Sequence, residues 1–242
     1  MQNRQGGGVQ EIRAGRIAPN RVEGTEGGLV DNLRTALTSR QATLLTEWQV
    51  RPAAVLVPFY EHDGQWHLLF TERTHEVEEH KGQVAFPGGG RDPGDSSTVE
   101  TALREAEEEI GLQRADVAVV GQLDELLTLS RWRVTPVVGV IPHPYDFAVN
   151  PRECTCVFGV PLRWLTDPAN LEGRRRPSPT DGSELEVYCY REYEGHLLWG
   201  VTARIVRMLL DALSQAARPG VHFGPGPCVG PRLESLLTEL CL

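Results

Sequence analysis

The chain reads as an α/β protein, and three features of its sequence say so. Residues 82–112 pass from a strand end through a glycine-rich loop into an amphipathic helix. Two apolar, strand-length segments, 53–58 and 66–71, flank an Asp63-Gly64 pair of the kind that closes hairpins. Further strand-like runs at 117–120 and 132–141 are followed by a helical stretch opening at Trp199. Strands and helices thus alternate along one chain.

Taken in order, residues 1–28 hold seven glycines and almost no apolar run, which predicts a flexible tail. Leu33, Leu37, Leu44 and Leu45 then suggest an amphipathic helical arm over 29–48. The main domain is expected over 50–216, starting with the hairpin. Residues 72–81 form a charged connection into the glycine-rich loop, Phe86-Pro87-Gly88-Gly89-Gly90. Glycine there lets the backbone turn sharply and lie bare toward a ligand. Ser97-Thr98-Val99-Glu100 is a capping box, and Val99, Ala102, Leu103, Ala106 and Ile110 recur at helical spacing before Gly111, the expected C-terminal cap. Arg174, Arg175 and Arg176 fall in an expected loop, as a solvated turn or as a clamp for outer phosphates. A hairpin is expected over 186–198 and a helix from Trp199 to about Ala216. Residues 217–242 combine a Gly/Pro-rich linker with a short leucine-striped helix.

The polar face of the 98–110 helix carries the chemistry. Glu105, Glu108 and Glu109 stand at i, i+3 and i+4, so their carboxylates are expected to project into one small volume. Glu107 lies about 160° around from Glu105 and reads as a solvated bystander. Charge runs are ordinarily just solvated, but helix stability gives no reason to crowd three carboxylates on one face. A hard divalent cation with oxygen ligands does. Arg104 is placed to pair with Glu108 at i+4.

This stretch resembles the Nudix box: Gly, five residues, Glu, seven residues, then Arg-Glu-(apolar)-x-Glu-Glu-x-Gly-(apolar). Arg104, Glu105, Ala106, Glu108, Glu109, Gly111 and Leu112 match its helical half. In the loop half, counting back from Arg104 puts Ser96 at the Glu position. Counting forward from Gly89 puts Asp95 there with one extra residue. The second alignment is similar to the coenzyme A pyrophosphatase branch, which also has a His-x-Gly-Gln-Val-Ala-Phe-Pro-Gly-Gly run. His80, Gly82, Gln83, Val84, Ala85, Phe86, Pro87, Gly88 and Gly89 match that run. Leu68, Leu69, Thr71 and Arg73 fit a further motif of the branch, as do Val134–Gly139 and the Trp199-Gly200-x-Thr202-Ala203 run. Glu78 stands where the branch has an Arg, which reverses a charge; His80 and Lys81 are the residues that could compensate.

The resemblance implies a Nudix fold, an α/β/α sandwich around a mixed sheet. It also implies hydrolysis of a diphosphate linked to a nucleoside. Mg2+ or Mn2+ would be held by Glu105, Glu108 and Glu109 with a carbonyl near Gly89. Arg104 would assist, and a box carboxylate or Glu153 would accept the proton. Glu153 otherwise reads as an ordinary loop carboxylate. Arg73, His80, Lys81, Gly82, Phe86 and Gly88 are the expected substrate contacts. Coenzyme A would give 4′-phosphopantetheine and adenosine 3′,5′-bisphosphate. ADP-ribose, NADH or dinucleotides are the alternative substrates, and a catalytically silent nucleotide sensor is the alternative class. Homodimers are common in the family.

Charge and composition exclude other classes. A formal net charge of −9 lacks the basic footprint of a general nucleic-acid or membrane-surface binder. No apolar run reaches membrane-spanning length, and the start does not have the layout of a signal peptide. Five sparse cysteines, an odd number, argue against a disulfide framework and point to a reducing cytoplasm. Cys154-x-Cys156 has no second pair or neighbouring His in sequence, so both read as buried strand residues.

Overall fold

The structure is a computed structural model that describes residues 27–38, 50–74, 82–128, 130–177 and 184–216. Glu78, His80 and Lys81, the tail, the second half of the arm and the C-terminal segment lie outside these residues. Among the described residues, no helix is long and apolar enough to cross a membrane.

Helix α1 (Gly27–Thr38) precedes the hairpin β1 (Arg51–His62) and β2 (Gln65–Arg73). Asp63 and Gly64 both take positive φ, 50° and 70°, the geometry that turns a two-residue hairpin with the natural strand twist. Short strands β3 (Val84–Ala85) and β4 (Gly88–Gly90) lead into helix α2 (Thr98–Ile110). Strands β5 (Ala118–Gln122), β6 (Leu126–Leu127), β7 (Trp132–Val140) and β8 (Cys154–Pro161) complete one sheet. Its backbone order is β3-β2-β1-β7-β5, with β4 pairing β1, β6 pairing β7 and β8 pairing β2. The β1–β7 pair is parallel and the other pairs are antiparallel, so the sheet is mixed.

Strand β1 is apolar almost without interruption because both its faces are covered. Ala54, Leu56 and Tyr60 pack with Ala102, Ala106 and Ile110 of α2. Ala53, Val57 and Phe59 lie in the opposite core with Leu33 and Leu37 of α1 and with Val206 and Leu209 of α4 (Gly200–Ala216). These are the two helix layers of an α/β/α sandwich. Ile110 is fully buried, and truncation to Ala would cost about 2–5 kcal/mol through lost burial and a residual cavity.

Several expectations change. The glycine-rich loop is partly strand: Gly88, Gly89 and Gly90 pair with Val55, Ala54 and Ala53. A Cβ on Gly88 would sit 2.4 Å from the Ala54 carbonyl oxygen, so close strand approach demands glycine there. The arginine run is not in a loop. It belongs to β9 (Leu171–Pro177), which pairs with β10 (Glu184–Tyr190) as a separate two-stranded sheet. The hairpin expected over 186–198 is present only in part: β10 pairs along its length with β9, and its end turns back through Cys189–Trp199 and Tyr193–His196 bridges, with the Tyr190 amide donating to the Leu198 carbonyl. After β8 comes the short helix α3 (Leu162–Thr166).

Candidate functional site

Local sequence starts α2. The Ser97 hydroxyl accepts the Glu100 amide at 3.1 Å, which satisfies one of the free N–H groups at the helix start. The Glu100 carboxylate reaches back one residue further than a simple capping box, to the Ser96 amide at 2.7 Å. At the other end Gly111 is left-handed, with φ 68°, and its amide donates to the Glu107 carbonyl. The Asn150 amide donates to the Glu109 carbonyl at 2.8 Å, so the turn carrying Glu153 docks on the end of this helix.

The polar face then divides. Glu109 is buried, with Gly88 N–H donating to its Oε2 at 3.1 Å and Arg73 Nη1 at 3.5 Å from its Oε1. Burial pushes its pKa up to about 8 despite Arg73. Glu105 lies mostly covered beneath Gly89, where an added Cβ would come 2.5 Å from its carboxylate. Burial raises its pKa as well, against the pull of Arg104. Glu108 does not join them. It is half-exposed and turns to Arg104 Nη1 at 2.9 Å. The expected convergence of three box carboxylates is thus two plus Glu153, whose Oε1 accepts from Asn150 Nδ2 at 2.9 Å. Glu107 stands apart from the site as expected, although it is not merely solvated: it pairs with Arg114 at 2.8 Å.

Arg104 is the hub behind this wall. Its Nε and Nη2 reach the two oxygens of Asp95 at 3.0 Å each, and Nη2 also donates to the Gly90 carbonyl. Arg104 Nη2 lies 2.9 Å from Glu105 Oε1. Asp95 is buried, also accepts from Thr101 and from the Asp92 amide, and is held well below the usual carboxylate range chiefly by Arg104. Of the two loop alignments, the structure therefore puts Asp95, not Ser96, opposite the arginine. Asp95 was legible only as an alignment option, because its partner lies nine residues away across the loop.

Glu105, Glu109 and Glu153 line one cavity of about 590 Å3 together with Arg73, Phe86, Gly88 and Gly89. Much of the rest of its lining is apolar and includes Trp132, Trp199, Val201 and Ile205. Trp132 is held from behind by the Arg51 guanidinium, 4.0 Å from its ring centroid. Nothing in the pattern of β7 singled out Trp132 beyond an ordinary strand residue. Gly82 is not among the lining residues. It takes φ 64° in the turn before β3 and donates its amide to the Arg73 carbonyl.

The NUDIX domain model matches residues 50–196. The chain belongs to the Nudix family. It is 42% identical over 162 residues to a protein of Photorhabdus laumondii described as an uncharacterized Nudix hydrolase NudL, a match spanning 66% of this chain and 83% of that one. A Yersinia pestis protein of the same description is 40% identical over 167 residues, spanning 68% and 80%. A solved Nudix hydrolase from Alicyclobacillus acidocaldarius is 17% identical, spanning 74% of this chain and 100% of that one, at a TM-score of 0.45, too distant to carry weight. Family and relatives make this Nudix chain a pyrophosphohydrolase, of a family that generally uses divalent metal ions.

The Nudix pocket suits such an ion on charge grounds. Arg73 is the one basic side chain among its described lining residues, facing three carboxylates. Among the described residues, the buried Arg73 Nε has no hydrogen-bond partner. A negatively charged diphosphate entering this end would meet net repulsion unless cations came with it. The donors offered are all oxygen, which matches Mg2+ or Mn2+ rather than a soft metal.

Proposed function

We propose that the enzyme hydrolyses the diphosphate of coenzyme A or an acyl derivative, using Mg2+ or Mn2+, to give 4′-phosphopantetheine and adenosine 3′,5′-bisphosphate. One observation carries this reading. Two of the segments that resemble the coenzyme A branch, 82–89 and 199–203, contribute to the same cavity. They are joined by Thr202 Oγ1 donating to the Val84 carbonyl at 2.9 Å. The small residues of the second segment are thus explained as a close seam between α4 and the pocket wall.

In this reading Glu105, Glu109 and the Gly89 carbonyl hold the cation, with Glu108 joining only by leaving Arg104. The cation supplies Lewis-acid polarisation of a phosphoryl oxygen. Arg73 offers its unpaired Nε to a phosphate at the closed end. Glu153, oriented by Asn150, accepts the proton of the attacking water. Arg104 touches no substrate and keeps Glu105 in place. The apolar wall with Trp132 and Trp199 receives the organic part of the substrate and excludes water from the reacting end.

A substrate panel tests the reading. Coenzyme A, acetyl-coenzyme A, dephospho-coenzyme A, ADP-ribose and NADH would be compared by kcat/KM with Mg2+ and with Mn2+. Coenzyme A or its acyl form should lead, and dephospho-coenzyme A should be slower because it lacks the 3′-phosphate. Turnover of ADP-ribose about tenfold more efficient than coenzyme A would overturn the substrate while leaving the hydrolase intact.

A further inference from the structure

A second set of ligating atoms lies on the face of β2 and β8 turned away from Arg73 and Glu109. Glu72, Cys156 and His196 each offer one such atom, and these all lie within 4.8 Å of one another. Among the described residues this is the set of three or more with that property. The set is assembled by register. Glu72 and Cys156 are direct partners in the β2–β8 pairing, so their side chains share a face. The pairing shifts between Glu72 and Arg73, where Arg73 pairs with Cys154. That bulge leaves Thr155 unpaired and breaks the alternation. In a regular strand Cys154 and Cys156 would point the same way. Here Cys154 goes with Arg73 toward Glu109, whose charge adds to burial in raising its thiol to about 12. Cys156 goes with Glu72 to the opposite face.

His196 comes from the turn after β10. Its ring lies flat on Phe158, centroids 3.8 Å apart and planes 11° apart, and its Nδ1 is 2.8 Å from Glu72 Oε2. Phe158 is two residues beyond Cys156 on the same strand face, so the stack fixes the imidazole over the thiol and carboxylate. All three groups are partly buried and none is fully covered. Thr155 Oγ1 donates to the Glu72 carbonyl and stands 4.0 Å from Cys156 Sγ, an outer contact of the kind that orients ligands.

We propose that Glu72, Cys156 and His196 form a second metal site, selective for a borderline-soft divalent ion of the zinc class and separate from the oxygen-rich pocket. A thiolate, an imidazole and a carboxylate are the ligands zinc takes, at about 2.0–2.3 Å. A tetrahedral centre with those bond lengths spaces its ligands about 3.3–3.8 Å apart. The observed atoms reach that spacing by shifts of about 1 Å or less. The hard Mg2+ ion has little use for a thiol. Bound metal would clip the Tyr193–His196 turn to the β2–β8 ladder, three residues before Trp199 of the pocket wall. The fourth position is left to water or a small anion.

Cobalt titration of the full chain in saturating Mg2+ tests this. A cobalt–thiolate charge-transfer band should grow to one equivalent and be displaced by Zn2+. Cys156→Ser should abolish the band, and His196→Ala should weaken Zn2+ binding by about a hundredfold or more, at least what loss of an outer-contact partner costs. Far-ultraviolet circular dichroism would check that each variant is folded. If Cys156→Ser does not fold, His196→Ala and Glu72→Gln decide, and undiminished Zn2+ affinity in both overturns the site. A wild-type chain without the band overturns it too, as does a band that persists in folded Cys156→Ser. In either case Glu72 and His196 are only a hydrogen-bonded pair beside a cysteine.

Discussion

Two arginines, Arg104 of α2 and Arg73 of β2, contact the carboxylates of α2 and live differently. Arg104 is saturated, with Asp95, Glu105, Glu108 and the Gly90 carbonyl all within 3.0 Å of its nitrogens. Among the described residues, the Arg73 side chain makes a long contact with Glu109 and keeps a buried Nε without a partner. The first arrangement is a closed strut, in which every charge is answered locally. The second is an open site, where a buried carboxylate and a guanidinium are both short of partners. An unsatisfied buried donor costs about 1–3 kcal/mol, so a fold would keep one where a ligand completes it. The contrast separates positioning from binding within a single helix.

The largest effect should come from emptying the open site. We predict that turnover is lost in excess chelator and returns with Mg2+ or Mn2+, while the fold persists. Undiminished rates after confirmed metal removal would mean that the carboxylate wall works in some other way. Glu109→Gln comes next. It should lower kcat by about a hundredfold to a thousandfold, equivalent to several kcal/mol of lost charge stabilisation at about 1.4 kcal/mol per decade. Metal-free stability at neutral pH should stay about level, because burial keeps Glu109 mostly protonated there and Gln can still accept the Gly88 amide. Rates at saturating Mg2+ beside melting curves in chelator would check both halves. Retention of more than about a tenth of wild-type turnover would exclude Glu109 as a ligand that matters.

Asp95→Asn attacks the closed strut and should show the opposite balance. We predict a stability loss of about 1–3 kcal/mol at neutral pH, the worth of charged hydrogen bonds, with a smaller loss of activity through Glu105. The sign with pH follows from the direction of the shift. Asp95 ionises below its ordinary range in the folded chain, so its contribution is present above about pH 4 and fades as the pH falls below that. Urea melts of both proteins across acid and neutral pH would measure this. A gap that widens in acid would contradict the pairing. The smallest effect is the control. Glu107→Gln breaks the outward pair with Arg114 and should cost about 0–1 kcal/mol, leaving kcat/KM unchanged.

Much of α2 was legible because its signals are local. Ser97, Gly111 and the apolar spacing from Val99 to Ile110 act within a turn or two of themselves, so sequence distance stands for spatial distance. The Asp63-Gly64 hairpin was legible for the same reason. The site was legible only in outline. Spacing put Glu105, Glu108 and Glu109 on one helix face and Arg104 within reach of Glu108, as observed, but could not say that this pair would keep Glu108 from the other two. Arg174, Arg175 and Arg176 looked like a loop because three charges in a row show no alternation. They extend only because β10 pairs with them.

Sequence alone determined the family, the sandwich and the helix that carries the carboxylates, since each rests on contiguous motifs and short-range periodicity. Tertiary structure decided which carboxylates share a cavity, that Asp95 and not Ser96 answers Arg104, and that Trp132 and Trp199 line the same cavity. It also decided that Cys154 and Cys156 part company at a bulge, so that one faces Glu109 and the other faces Glu72 and His196. The reason is register. A shift of one residue between paired strands sends a side chain to the opposite face, and that shift is set by the partner strand, which no local window of sequence contains.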